Sequence, residues 1–257
     1  VTFSLRLTAD LTLALAARAL GAAHGRPVIL QLSSEHNFDS ALASRSAPQA
    51  SAHLFQSVAR VSRYRSPIIW IGGSEPLDHP QVGRFSNALA GSGRHVFVET
   101  SGTSLKQRLH EFRPSSRLCF AVRFASTQPV PDQHTASEAG LRAGLEALRM
   151  ARLAGFFTCA HLVLHPDGSR SELEDLHAEI QKLDVDGFLI IPAVLTPELQ
   201  KAVVQLRRRL LTRRWSLISS LLEASLSPSI SRSSRHIERH PLPESQPESF
   251  GGSAEAG

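Results

Sequence analysis

The chain has 257 residues, 42% of them hydrophobic, with a formal charge of +5 and a pI near 10.0. That is enough to bury one sizeable core, so one domain with a tail is expected, and no basic stripe interleaved with aromatics speaks for nucleic acid as a partner. Its two cysteines, Cys119 and Cys159, make neither a chelating pair nor a disulfide framework, which gives a reducing cytoplasm as the expected compartment. No run reaches the roughly twenty apolar residues of a membrane span.

Residues 3–22 place Leu11, Leu15 and Ala19 at helical spacing, and a helix packed outside the core is expected. Arg6, Asp10 and Arg18 interrupt it, and no basic segment and cleavage site bracket it, so neither a membrane helix nor a targeting signal is expected. After Pro27 comes a short strand, Val28–Leu32, and then a polar loop, Ser33–Arg45. A helix over Gln49–Ser62 leads to Ile68–Leu77 (IIWIGGSEPL), where a buried strand empties into a loop. Gly72 and Gly73 there permit positive φ and close approach to a ligand, while Glu75 supplies an acceptor where α/β proteins place their sites. The other reading of that stretch is a tight strand-to-helix turn with an incidental acid.

Val82, Phe85, Leu89 and Ala90 form the stripe of the next helix, followed by a strand over His95–Thr100 and a short helix ending near Leu109. A strand over Leu118–Phe124 precedes a loop containing Pro129, Pro131 and Asp132. Residues 136–154 carry the stripe Leu141, Leu145, Leu148, Leu153 of a long helix stopped by Gly155. Phe157–Leu164 reads as a strand, Ser171–Leu183 as a helix, Gly187–Ile191 as a buried strand, and Thr196-Pro197 opens a last helix toward Arg214. Six strands alternating with helices through short connections predict parallel βαβ units, in an incomplete (β/α) barrel or a doubly wound sheet. Residues 227–257 are rich in Ser, Pro, Glu, Gly and His without apolar periodicity and are expected to be a disordered tail. The expected division is thus an N-terminal helix over 1–25, a barrel over 26–226 and the tail.

Together the strand ends resemble the radical S-adenosylmethionine superfamily over about residues 26–195. Gly72-Gly73-Ser74-Glu75-Pro76 looks like its GGEP loop with a serine inserted, and Val96–Gly102 is similar to the strand end that follows it there. The resemblance implies a partial (β/α)6, TIM-like barrel, with S-adenosylmethionine bound through Gly72, Gly73, Glu75, Pro76, Thr100 and Ile191 at the carboxyl ends of the strands. It also implies a four-iron four-sulfur cluster on CxxxCxxC in the first loop, where this chain has His36, Ser40 and Ala43. Imidazole, hydroxyl and methyl cannot replace three thiolates. No protein-held metal and no named catalytic residue are therefore expected.

The reading is of a divergent or inactive relative, a pseudoenzyme that keeps S-adenosylmethionine or small-molecule binding. The alternative is a non-catalytic binding or scaffold protein that meets a protein partner through the barrel exterior, the N-terminal helix and the basic segment Leu206–Arg214. A metal-independent enzyme acting through Glu35, Glu75 or Glu99 is a third. Glu35 with His36, and Glu99 with Thr100, fall at strand ends that a barrel brings to one rim. His161 and His165 stand roughly 13 Å apart if strand-borne, too far to chelate. Cys119 and Cys159 read as small buried hydrophobes, and His79 beside Asp78, at the mouth of the glycine loop, reads either as a proton carrier or, the favoured reading, as part of a cap of the next helix through Asp78.

Overall fold

The computed structural model describes residues 5–20, 28–33, 58–59, 61–73, 75–126, 134–166, 170–194, 196–211, 219 and 222. Its strands are β1 (Ile29–Ser33), β2 (Ile68–Gly72), β3 (His95–Thr100), β4 (Leu118–Ser126), β5 (Phe157–Leu164) and β6 (Gly187–Pro192). All neighbours pair in parallel and the spatial order is the sequence order, β1 to β6. No reversal point exists in such an order, which separates it from a doubly wound sheet. β1 and β6 lie at opposite ends of the order, yet Gln31, Leu32 and Ile191 line one common cavity. The sheet therefore curls into an open half-barrel, an α/β fold of the partial TIM-like kind.

Both faces of the sheet are buried, as its near-continuous apolar strands require. Outward-facing Ile69, Ile71, Val96, Val98, Phe120, Val122, Leu162 and Ile190 pack beneath the helices. Phe120 meets Phe112 and Phe156 edge to face at 5.0 and 5.1 Å. The longer helices are α1 (Leu5–Ala19), α2 (Val82–Gly91), α3 (His134–Leu153), α4 (Arg170–Lys182) and α5 (Pro197–Leu210), and a short helix, Leu105–Arg108, follows β3. Val82, Phe85, Leu89 and Ala90 of α2 are buried as their spacing predicts. Thr196 caps α5, its Oγ1 accepting from Leu199 N at 3.3 Å, with Pro197 in the first turn.

Three local expectations are corrected. In α3, Leu141 and Leu153 are exposed, Leu153 by 80%, while Gly144, Ala147, Leu148 and Ala151 face the sheet. The reason is close approach: a Cβ on Gly144 would stand 2.7 Å from the Phe124 ring, and one on Gly102 would stand 2.8 Å from Ala147 Cβ. Small residues let the helix lie down where leucines would hold it off. The amide before α2 is received by His79 rather than Asp78, with Gln81 N donating to His79 Nδ1 at 3.1 Å; Asp78 instead accepts from Ser104 Oγ at 3.3 Å.

The third correction concerns α1, which does not pack outside the core. Leu7 and Leu11 enter a second buried cluster with Ile29, Ile68, Phe97 and Leu189, and Leu222 joins them. Each such leucine contributes about 1.5–3 kcal/mol by leaving water. Asp10 fixes the helix at the amino ends of the strands, where its Oδ2 lies 2.8 Å from His95 Nε2 and 3.8 Å from Arg117 Nη1. α1 thus closes the lower end of the barrel interior. The helix expected over Gln49–Ser62 is described only at its end, around Val61, and residues 34–57 and 223–257, including the expected tail, lie outside the described residues.

Candidate functional site at the carboxyl rim

Residues two apart on a strand share a face, so the inner wall can be read upward from α1. It begins apolar with Ile29, Ile68, Phe97, Cys119, Cys159 and Leu189. One or two steps on, the same columns turn polar: Gln31 on β1, Trp70 on β2, Glu99 on β3, Arg123 on β4 and His161 on β5. Arg123 and His161 are direct register partners. The carboxyl-terminal layer of the barrel therefore encloses a charged cluster, and above it lies a cavity of about 210 Å³. Trp70, Glu99 and His161 form its floor, Gln31 and Leu32 one wall, Ile191 another, and Gly72 and Gly73 the lip.

Glu99 is the centre of this arrangement. Only 8% exposed, it accepts from Trp70 Nε1 at 2.8 Å through Oε2 and from Arg123 Nη1 at 3.2 Å through Oε1. His161 Nδ1 lies 3.5 Å from Oε1. Burial, the largest influence, pushes the carboxyl upward, but the neighbouring His161 ring, the Trp70 N–H and the Arg123 charge together outweigh it and hold Glu99 below the ordinary carboxylate range. It is a carboxylate at neutral pH. Trp70 itself is locked by stacking on Phe97 at 5.2 Å and meets the His161 ring edge to face at 5.5 Å.

The glycines have separate reasons. Gly73 has φ +124, a left-handed conformation that side chains resist, and its carbonyl accepts from Arg123 Nη1 at 3.0 Å. A Cβ at Gly72 would lie 2.8 Å from Glu99 Oε2, so only glycine lets that carboxylate lie against β2.

Of the residues expected at the site, Gly72, Gly73 and Ile191 line the cavity, whereas Glu75, Pro76 and Thr100 sit behind its lip. Glu75 Oε2 accepts from Ser101 N at 2.8 Å and Ser101 Oγ at 2.6 Å, and Oε1 accepts from Leu77 N at 3.3 Å. Pro76 is buried at the start of a 3-10 turn, Pro76–Asp78. Thr100 Oγ1 accepts from Gly102 N at 3.0 Å. Glu75 thus ties the glycine turn to the end of β3, while Thr100 braces the turn that leaves that strand. Glu35, His36, Ser40 and Ala43 lie outside the described residues.

Trp70 and His161 line the cavity and Arg123 braces it through Glu99 and the Gly73 carbonyl, a grouping that the sequence does not single out. The available signal was a charged or polar residue within an otherwise apolar strand, on the face shared with Ala121 and Cys159. His161 and His165 are not joined in a chelate, and no group of three or more His, Cys, Asp or Glu among the described residues is arranged to hold a metal ion. Cys119 and Cys159 are buried free thiols. Burial, with lesser contributions from neighbouring negative charge, pushes both well above the range in which thiolates form.

No protein-family model matches the chain, and no curated protein matches it. Among solved structures it is similar in fold to Streptococcus suis SuiB bound to its precursor peptide SuiA, with 14% identity, TM-score 0.53, and coverage of 85% of this chain and 50% of that one. SuiB bound to S-adenosylmethionine gives 11% identity, TM-score 0.51, and coverage of 77% and 53%. The chain spans about half the length of these neighbours, and no helix among its described residues is long and apolar enough to cross a membrane.

Proposed function

We propose that this chain is a radical S-adenosylmethionine-like half-barrel that binds S-adenosylmethionine or another small molecule in the rim cavity, and does so without a cluster held by its own thiolates. One observation carries the reading: a buried, ionised Glu99 faces a cavity at the carboxyl ends of the strands, beside the Gly72-Gly73 turn. A carboxylate kept charged inside a barrel, next to space, is a receptor for a positively charged group. S-adenosylmethionine brings a sulfonium and an ammonium. SuiB, similar in fold, is bound to that molecule in one structure.

Within this reading Gly72, Gly73 and Ile191 contact the ligand, while Glu75 positions the glycine turn through Ser101. Arg123 holds the Gly73 carbonyl and Glu99 together. The implied four-iron cluster does not fit the donor set. It needs three thiolates, the chain has two cysteines, and both are buried with their thiols held protonated. His36, Ser40 and Ala43 offer no third. The chain is therefore read as a divergent relative inactive in radical chemistry, and no step is drawn through a cluster.

Equilibrium dialysis of S-adenosylmethionine against anaerobically reconstituted protein tests this. The expected result is one bound molecule per chain, with iron and sulfide far below stoichiometric and no 5′-deoxyadenosine formed. Stoichiometric cluster with cofactor cleavage overturns the cluster-free part; no bound S-adenosylmethionine overturns the ligand. A second reading, a scaffold working through the barrel exterior, is favoured by the exposed Leu153 and Val204 on α3 and α5. Its signature is a pulled-down partner lost on Leu153→Glu with Val204→Glu.

A further inference from the structure

His161 faces the same cavity from β5 and is 6% exposed. Neither ring nitrogen is satisfied by a hydrogen bond of good geometry, and its ion-pair contact is Nδ1 to Glu99 Oε1 at 3.5 Å. A buried imidazole with an open nitrogen, one carboxylate beside it and empty space above it is placed to gain and lose a proton.

We propose that the cavity takes a small organic cation against Glu99 and that this cation exchanges with the proton of His161, the imidazolium and the ligand competing for one carboxylate. The inference rests on the rim cavity being the small-molecule site.

The charges facing His161 set the competition. Glu99 on β3 is negative, and Arg123 on β4, its register partner, is positive and already bonded to Glu99. Gln31 on β1, Trp70 on β2 and Leu189 on β6 carry no charge. With His161 protonated, two cations already share the single carboxylate, and the edge-to-face indole of Trp70 further accommodates the imidazolium. A third positive charge in this buried space has no counter-charge among the described residues. With His161 neutral, Arg123 and Glu99 balance and the ligand's cation finds the Oε1 side of Glu99 available. No covalent bond changes: the cation enters and one proton leaves to solvent.

Calorimetric titration of the full chain with S-adenosylmethionine, in phosphate and in Tris at matched pH between about 5 and 8, where histidines change charge, reads the exchange. The expected result is release of up to one proton per site at the acidic end, with affinity weakening toward tenfold per pH unit as His161 protonates. His161→Asn abolishes both the release and that slope. Binding with no proton release, or release unaltered in His161→Asn, overturns the exchange while leaving the binding site standing. If S-adenosylmethionine does not bind, the binding reading fails, and NMR titration of the His161 ring then decides the pairing. Because Glu99 Oε1 lies 3.5 Å from His161 Nδ1, the ring's titration should differ between the parent chain and Glu99→Gln, and identical titrations overturn the inference.

Discussion

Trp70 and Glu99 occupy adjacent strands, and the indole Nε1 donates to Glu99 Oε2 at 2.8 Å inside the barrel. Trp70→Phe keeps a ring to stack on Phe97 but leaves that oxygen without its donor, which costs about 1–3 kcal/mol of stability, measurable by urea unfolding at pH 7. Because the folded-state pKa of Glu99 lies below its ordinary value of 4.5, its contribution is present above that value and is lost as pH falls through the folded one. Unfolding free energies between pH 7 and pH 3 should therefore decline less steeply in Glu99→Gln than in the parent chain. An identical decline in both would mean the carboxylate is not held ionised by the fold.

Gly72→Ala puts a methyl group 2.8 Å from Glu99 Oε2. The carboxylate must swing away from β2, and S-adenosylmethionine affinity should fall by tenfold or more. The fold should remain intact by circular dichroism. Unchanged affinity in dialysis would remove Glu99 from the ligand's surroundings.

Two glycines of α3 should respond in opposite directions. Gly144→Ala meets the Phe124 ring at 2.7 Å and should destabilise by about 1–3 kcal/mol through overpacking. Gly140 has nothing within 4 Å of its would-be Cβ and is exposed, so Gly140→Ala should stabilise by about 0.5–1 kcal/mol through helix propensity. Parallel melts of the two variants check the pair.

His95 anchors α1 through Asp10. Burial, only partly offset by the Asp10 bond, lowers its pKa from the usual 6.5. The unfolded chain then binds the extra proton first, so the contribution is full above about pH 6.5 and is lost as pH falls below it. His95→Gln should flatten the stability change between pH 7.5 and pH 5.5. Proteolysis near α1 should become faster for Asp10→Ala, because the helix loses its polar anchor and keeps its apolar contacts through Leu7, Leu11, Ala14 and Leu15. Equal cleavage rates would show that the apolar contacts suffice.

The sequence by itself determined the six strands, the helices between them and the glycine turn after β2. These follow from local signals: the apolar runs at Ile68–Ile71 and Phe188–Ile191, the helical stripe from Val82 to Ala90, and the Thr196-Pro197 start. Which way the sheet closes, what α1 covers and which polar groups meet were decided only in three dimensions. Leu7 and Leu11 look like any amphipathic stripe until the inner wall they seal is present, and α3 shows a leucine pattern while burying Gly144 against the Phe124 ring and exposing Leu141 and Leu153. Glu99, Arg123 and His161 are separated in sequence by dozens of residues and by two crossover helices. Parallel pairing alone sets them side by side, because a register of adjacent strands is fixed by long-range packing and leaves no mark on the residues next to each of them.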